Sequence, residues 1–457
     1  MGKFFGTDGV RGIANEFLSP ELVLKIGKAL ACHIINKKSN KPTILIGRDT
    51  RVSGDMIEGA LSAALTSMGC DVLLAGIIPT PAIAYLARTM DVDCGVVISA
   101  SHNPVIDNGI KFFDFDGLKF SQAEENQIEK YVEMGIPSEF IPPVDSEIGR
   151  VMILPDASQR YQFYVQSLAE NSLEGLRIAL DCANGSTCST APAIFSYLKA
   201  SVTIINGHPD GININRECGS THPELLQNLV KAGNFDIGLA FDGDGDRLIA
   251  VDETGELIDG DEMMNIFAGF YHQQGKLRGN QIVATVMSNI GLEVALKQKG
   301  LMLLRSQVGD RNVMELMEEK GANIGGEQSG HIIFLDDNTT GDGIITGLKL
   351  VSILKATGKK ASELKARMEK FPQVLINVQL KNKEKIMENP DFLSYLEEKQ
   401  GKKDDKFRIL VRASGTEPLI RVMVEGPDLG FINKLADEIT EKVKKLDQSL
   451  SMIGSRA

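Results

Sequence analysis

Four short stretches of the chain carry residue types that do chemistry, at spacings that let them act together. Ser99-Ala100-Ser101-His102-Asn103-Pro104 directly follows the apolar run Cys94-Gly95-Val96-Val97-Ile98. A β-branched run that ends in small polar residues and Asn-Pro predicts a buried strand delivering Ser101 to a turn at its carboxyl end. Open α/β sheets place their chemistry there. Alone, such a serine only caps or bonds its local backbone. Its candidacy as a nucleophile comes from the other three stretches.

Asp242-Gly243-Asp244-Gly245-Asp246-Arg247 alternates carboxylates with glycines, so one turn can aim Asp242, Asp244 and Asp246 at a single point. Hard divalent cations want such oxygen ligands, and Mg2+ tolerates few of them when a phosphate oxygen completes its shell. An EF-hand loop is the rival, since Glu253 stands twelfth from Asp242. It fails at the sixth position, where Arg247 replaces the required glycine. The flanks Leu248 to Val251 and Glu256 to Ile258 predict a β-hairpin in place of helices.

Arg412 and Arg421 bracket Ser414, Gly415 and Thr416, and guanidinium forks with hydroxyls and backbone N–H groups in a glycine turn make a phosphate cradle. The plainer reading is a structural turn whose arginines pair with Glu425. Glu327, Ser329 and His331 alternate with small residues in Gly326-Glu327-Gln328-Ser329-Gly330-His331, a loop able to present several hydrogen-bonding groups to a hydroxylated ligand. Glycines crowd His331 at 325, 326, 330 and 341, which argues against a core histidine. Lys111 could return to the same cleft as the serine turn, although a surface lysine is the simpler expectation. Arg11 lies in Phe5-Gly6-Thr7-Asp8-Gly9-Val10-Arg11-Gly12, a glycine-rich turn that matters only if the guanidinium reaches a shared cleft.

The elements that must position these groups follow a recurring order of strand, helix, strand. Thr43 to Asp49 leads to a helix near Gly54 to Met68 and a strand from Asp71 to Ala75. Leu176 to Cys182 leads to a helix near Thr190 to Leu198 and a strand from Val202 to Ile205. Gln281 to Met287 leads to a helix near Gly291 to Lys299 and a strand from Leu301 to Arg305. That order builds doubly wound sheets, so three rounds predict three similar α/β domains. The carboxyl part differs: strands Val374 to Leu380, Phe407 to Val411 and Leu419 to Val424, a highly charged stretch Lys381 to Asp405, and a last helix from Leu429 to Leu446 predict a smaller α+β domain closing over the others. Seams at Gly135–Pro155, Asp252–Asp261 and Phe371-Pro372 divide the chain into domains 1–154, 155–256, 257–371 and 372–457.

At 457 residues the chain exceeds what one core serves, and 43% hydrophobic with 24% charged residues is ordinary for a globular protein. With 49 Lys+Arg against 61 Asp+Glu the formal charge is -12, which argues against nucleic acid or an anionic membrane as main partner. The six cysteines form no Cys-x-x-Cys, and the amino terminus has no long apolar core, so reduced thiols and a cytoplasmic location are expected. There is no Walker A sequence, and Gly341-x-Gly343 lacks the third glycine of a dinucleotide fingerprint.

Taken in order, Ser-Ala-Ser-His-Asn-Pro, Asp-Gly-Asp-Gly-Asp-Arg, Gly-Glu-Gln-Ser-Gly-His and Arg-x-Ser-Gly-Thr-Glu-Pro resemble the α-D-phosphohexomutase superfamily, from Phe5 through Gly426. Gln328, Gly415-Thr416-Glu417 and Pro209-Asp210-Gly211-Ile212-Asn213-Ile214-Asn215 are most similar to its glucosamine branch. The resemblance implies four domains around a central cleft and an isomerase that moves phosphate between the 6- and 1-positions of glucosamine, for cell-wall precursor synthesis. Ser101 is implied as a phosphoserine, holding Mg2+ together with Asp242, Asp244 and Asp246. Arg11, Lys111, His102 and Arg247 are implied around the transferring phosphoryl group, with Lys111 or His331 as general acid/base. Glu327 and Ser329 would hold sugar hydroxyls, and Arg412, Ser414, Gly415, Thr416 and Arg421 the far phosphate. Glucosamine-1,6-bisphosphate or glucose-1,6-bisphosphate would serve as activator, and a homodimer is the family expectation. Val105-Ile106 departs from the aromatic residues of many relatives, at positions with no implied catalytic role. A phosphoglucomutase/phosphomannomutase activity is the alternative within the class; a phosphosugar phosphatase or sensor is the alternative outside it.

Overall fold

The computed structural model describes residues 3–6, 8–37, 41–401, 406–414 and 418–454, with side chains as far as 451. Its first sheet runs, in spatial order, Val10–Ile13, Asp107–Asp114, Cys94–Ile98, Thr43–Arg48, Asp71–Ile77 and Val151–Ile153. Thr43–Arg48 pairs parallel with both Asp71–Ile77 and Cys94–Ile98, and Asp107–Asp114 returns antiparallel beside Cys94–Ile98. The second sheet repeats the plan: Arg177–Asp181 lies parallel between Ser201–Ile205 and Ile237–Phe241, and Leu248–Asp252 returns antiparallel. In the third, the order is Met302–Ser306, Gln281–Thr285, Ile324–Gly326 and Ile332–Phe334, again with a parallel third strand and an antiparallel fourth. Three α/β domains of one design result. Their central strands read as unbroken apolar runs because helices cover both faces; every residue of Cys94–Ile98 and of Ile237–Phe241 is buried.

The carboxyl domain is different, as expected. Gln373–Gln379, Leu419–Glu425 and Arg408–Ala413 form an antiparallel sheet. Ile420, Val422 and Val424 of its middle strand form one core with Ile432, Ile439 and Val443 of the helix Leu429–Gly454. That helix extends past the expected Leu446 because apolar Leu446 and Leu450 keep the spacing that faces the sheet. The charged stretch from Lys381 holds two helices, Lys383–Met387 and Pro390–Gln400, the second started by Asn389 Oδ1 accepting from Phe392 N–H at 3.0 Å. Within the Gly135–Pro155 seam lies an edge strand, Val151–Ile153, parallel to Asp71–Ile77.

By compactness the chain divides into two units. Gly2–Val286 with Leu304–Ala366 is one, and Met287–Leu303 with Arg367–Ala457 is the other. In the second unit, Asn289 Nδ2 donates to Phe371 O at 2.9 Å, Glu425 Oε1 accepts from Ile290 N–H at 3.0 Å, and Arg408 Nη2 donates to Ser288 O at 2.9 Å. No described helix is long and apolar enough to cross a membrane.

Candidate active site

The strand Cys94–Ile98 ends just before Ser99, and the chain then turns so that Ser101 takes a φ of 52° and is 1% exposed. Its Oγ donates to Asp242 Oδ2 at 2.6 Å and lies 3.3 Å from His102 Nδ1. The antiparallel strands Ile237–Phe241 and Leu248–Asp252 present the aspartate turn. Gly243 lets that turn meet the serine: a Cβ at 243 would stand 2.7 Å from Ser101 O. The expected hairpin is present, and Glu253 turns away to accept from Ser362 N–H at 3.2 Å, which removes the EF-hand reading.

Among the described residues Asp242, Asp244 and Asp246 are the acidic group whose ligand atoms all lie within 4.8 Å of one another, and all three are buried. Burial, then Asp246 and Asp244, push the Asp242 carboxyl far above the usual carboxylate range. Asp244 Oδ1 and Asp246 Oδ1 are buried with no hydrogen-bond partner among the described residues. Clustered, desolvated carboxylates with orphaned oxygens fit a hard divalent cation.

Cations surround this cluster. Lys111, 1% exposed, donates to Asp244 Oδ2 at 2.9 Å and lies 3.0 Å from Asp8 Oδ2 and 3.6 Å from Asp246 Oδ2. Burial works to lower its pKa, but Asp244, Asp8 and Asp246 outweigh it and hold the ammonium charged. Arg11 also bonds Asp8, and Lys119 joins Asp8 to Asp310. Arg247 N–H donates to Asp242 Oδ1 at 3.1 Å and its Nε lies 3.8 Å from Asp246 Oδ1. His102 is pulled down to about 4, first by burial and then by Arg247 and Arg11, so the ring is neutral at physiological pH.

His331 is 2% exposed, with Nδ1 3.7 Å from Asp246 Oδ2 and Nε2 3.9 Å from Asp310 Oδ2. Gly341 N–H donates to Nε2 at 3.1 Å, which assigns the neutral ring's proton to Nδ1, toward Asp246. Glu327 and Ser329 are half-buried, Glu327 Oε1 accepting from Gly309 N–H at 3.1 Å and Ser329 Oγ lying 3.4 Å from Glu327 Oε2. Arg11, Ser101, His102, Lys111, the three aspartates, Arg247 and His331 are thus one contiguous cluster.

The second unit carries the other candidates. Arg412 and Arg421 are directly opposed on neighbouring strands, and burial followed by Arg421 depresses the Arg412 pKa. Opposed like charges are unfavourable without an anion. Ser414 is buried, its N–H donating to Leu419 O at 2.9 Å, and its carbonyl accepts from Lys383 Nζ at 2.6 Å. Glu425 Oε2 takes Arg408, at 3.1 Å from Nε and 2.8 Å from Nη2. Gly415 and Thr416 lie outside the described residues. Sequence reasoning missed Asp8, Asp310, Lys119 and Lys383. The first stands three residues before Arg11 and was open to notice; the rest carry no local signal.

Family models described as phosphoglucomutase/phosphomannomutase match in turn: alpha/beta/alpha domain I at residues 2–137, domain II at 159–255, domain III at 259–371 and the C-terminal domain at 375–442. A protein named phosphoglucosamine mutase from Bacillus pumilus is 49% identical over 446 residues, covering 97% of this chain and 99% of that one. Another of that name, from Carboxydothermus hydrogenoformans, is 52% identical over 448 residues, covering 98% and 100%. Among solved structures, a phosphoglucomutase/phosphomannomutase family protein from Burkholderia thailandensis superposes with a TM-score of 0.83 at 24% identity, over 98% of both chains. An Aspergillus fumigatus N-acetylphosphoglucosamine mutase, solved with GlcNAc-6P and magnesium, gives 0.68 at 18% identity, over 98% of this chain and 96% of that one.

Proposed function

The chain belongs to the phosphoglucomutase/phosphomannomutase family, and from that premise we propose that it is an isomerase interconverting glucosamine-6-phosphate and glucosamine-1-phosphate through a phosphoserine at Ser101 and a bisphosphate sugar. The observation that carries the reading is Ser101 Oγ, 2.6 Å from Asp242 Oδ2 inside a buried set of three carboxylates. Nearly full-length relatives, 49% and 52% identical, bear the name of that activity.

Moving a phosphate between two ends of a sugar needs a group that gives a phosphoryl at one end and takes one from the other. Ser101 does both: the Oγ–P bond breaks as the sugar hydroxyl oxygen bonds phosphorus, the hydroxyl proton ending on Oγ, and the reverse exchange at the other end returns that proton to the sugar and restores the phosphoserine. Asp242, Asp244, Asp246 and the serine phosphate would hold Mg2+, whose charge would offset that of the phosphoryl oxygens. Lys111, Arg11 and Arg247 add positive charge around the same oxygens, and neutral His102 offers a ring nitrogen 3.3 Å from Oγ. Lys111 or His331 does the general acid/base work: Lys111 as the acid, since its ammonium is held charged, or His331, with Nε2 on Gly341 N–H and Nδ1 3.7 Å from Asp246 Oδ2. Glu327 and Ser329 bind sugar hydroxyls. On the carboxyl unit Arg412, Arg421 and Ser414, with Gly415 and Thr416, take the phosphate that is not reacting.

The test is kcat/KM for glucosamine-6-phosphate against glucose-1-phosphate and mannose-1-phosphate, with Mg2+ and the matching bisphosphate present. A large preference for the amino sugar is expected. Equal or better turnover of the neutral sugars overturns the substrate, and steady release of inorganic phosphate would make the protein a phosphatase.

A further inference from the structure

Ser101 is gripped through its backbone from two domains. Its φ of 52° lies in the left-handed region, which is unfavourable for a residue with a Cβ, so something must hold it there. Ser99 Oγ accepts from Ser101 N–H at 2.9 Å and donates to Asp49 Oδ2 at 2.6 Å. Arg51, wholly buried, donates from Nη2 to Ser101 O at 3.0 Å and to Asn103 O at 2.9 Å, and from Nη1 to Pro104 O at 2.6 Å. Asp49 Oδ2 accepts from its Nε at 2.9 Å. From the second domain, Asn215 Nδ2 donates to the same two carbonyls, at 2.8 Å to Ser101 O and 3.1 Å to Asn103 O. Two carbonyl acceptors decide which end of that amide is the NH2.

Asn215 closes Pro209-Asp210-Gly211-Ile212-Asn213-Ile214-Asn215, the motif that supplies no group to the reaction described above. Its own backbone is left-handed, at φ 55°, with its N–H on Ala183 O at 2.9 Å. Four residues earlier, Gly211 O accepts from Val52 N–H at 2.9 Å, next to Arg51. The motif therefore docks directly on the serine's turn and on the residue after its first clamp.

We infer that Arg51 and Asn215 are positioning residues for phosphoryl transfer, fixing the backbone of the nucleophile's turn from two domains so that Ser101 Oγ keeps its place beside Asp242 as it gains and loses the phosphoryl group. The inference rests on the phosphoserine reading. An unclamped turn is free to relax out of its left-handed conformation and carry Ser101 Oγ away from Asp242. Misplacing a reacting atom by about 1 Å costs on the order of 100-fold in rate.

Asn215→Gly tests this directly, because glycine suits the left-handed backbone and only the donor is lost. The expected result is kcat about 10- to 100-fold lower with KM within about twofold of the parent, since the substrate contacts are untouched. Asn215→Asp, equal in size but turning oxygen toward the carbonyls, should lose at least as much. Arg51→Lys, which keeps a charge for Asp49 but not the fork, should also lower kcat and spare KM. A folded Asn215→Gly protein with kcat within about twofold of the parent, or a loss confined to KM, overturns the clamp. Should Asn215→Gly fail to fold, the same two outcomes in Asn215→Asp or Arg51→Lys decide it, and failure of all three to fold overturns it in favour of a structural role. Every ratio is taken on the sugar phosphate that the parent turns over fastest. An inactive parent overturns the phosphoserine reading and the clamp with it; an active parent with an unaffected variant overturns the clamp alone.

Discussion

Ser101 and Asp242 share one hydrogen bond, so the proposed nucleophile and the proposed cation cage are read by the same two experiments. Ser101→Ala removes the proposed phosphoryl carrier and should lose at least about 1,000-fold in kcat while keeping the parent's circular dichroism. Dialysis against a chelator should abolish turnover and Mg2+ should restore it; full activity in metal-free buffer would remove the cage from the reaction. Both groups were legible in the sequence because each lies in a short motif. The cations that complete the site were legible only in part: Lys119 reaches Asp8 across 111 positions and Asp310 across 191, separations that no local pattern encodes. Gly415 and Thr416 remain a sequence expectation.

At the scale of elements, the apolar runs announced their strands. Cys94–Ile98 begins and ends where the apolar run does, and the hairpin after Asp246 follows from the short apolar runs on either side of its polar turn. What escaped were pieces specified by partners, such as the edge strand Val151–Ile153, three exposed residues that exist because Asp71–Ile77 offers a free edge. Gly243 marks where two loops meet, and Gly243→Ala should separate the aspartate turn from the serine, lowering kcat with a stability loss of about 1–3 kcal/mol in urea titration. A wild-type rate there would contradict the 2.7 Å approach. The cap of Gly343–Thr357 carries a pH signature. Asp342 Oδ1 accepts from Ile345 N–H at 2.9 Å, the Tyr161 hydroxyl lies 2.9 Å from both carboxyl oxygens, and burial raises the carboxyl to about 6 in spite of these bonds. Between about pH 4 and 6 the folded chain holds a proton that the unfolded chain has released, so this contribution to stability is complete below pH 4 and is lost as pH rises through 6. Asp342→Asn keeps an acceptor and cannot ionise, and should flatten that stretch of the stability curve by up to about 1.4 kcal/mol per pH unit.

At the scale of the molecule, the three α/β domains are joined by charge. Asp8 and Lys119 come from the first, Asp244 and Asp246 from the second, Asp310 and His331 from the third, and Lys111 from the first reaches Asp8, Asp244 and Asp246. Lys119→Met leaves Asp8 and Asp310 without their shared, largely buried cation and should cost on the order of 2–4 kcal/mol, read as a lower urea midpoint. An unchanged midpoint would show that the network is electrostatically neutral to folding. The threefold strand-helix-strand order made these domains legible. The allegiance of Met287–Leu303 was not, because a helix in the third round of that order falls by compactness with Arg367–Ala457. Among the described residues the chain consequently passes between its two units at three places, after 286, 303 and 366, and not once. A chimera that exchanges the carboxyl domain with a relative at 371 alone therefore parts Ser288 and Ile290 from the Arg408 and Glu425 that this chain pairs with them, and should show a lower urea midpoint than the parent.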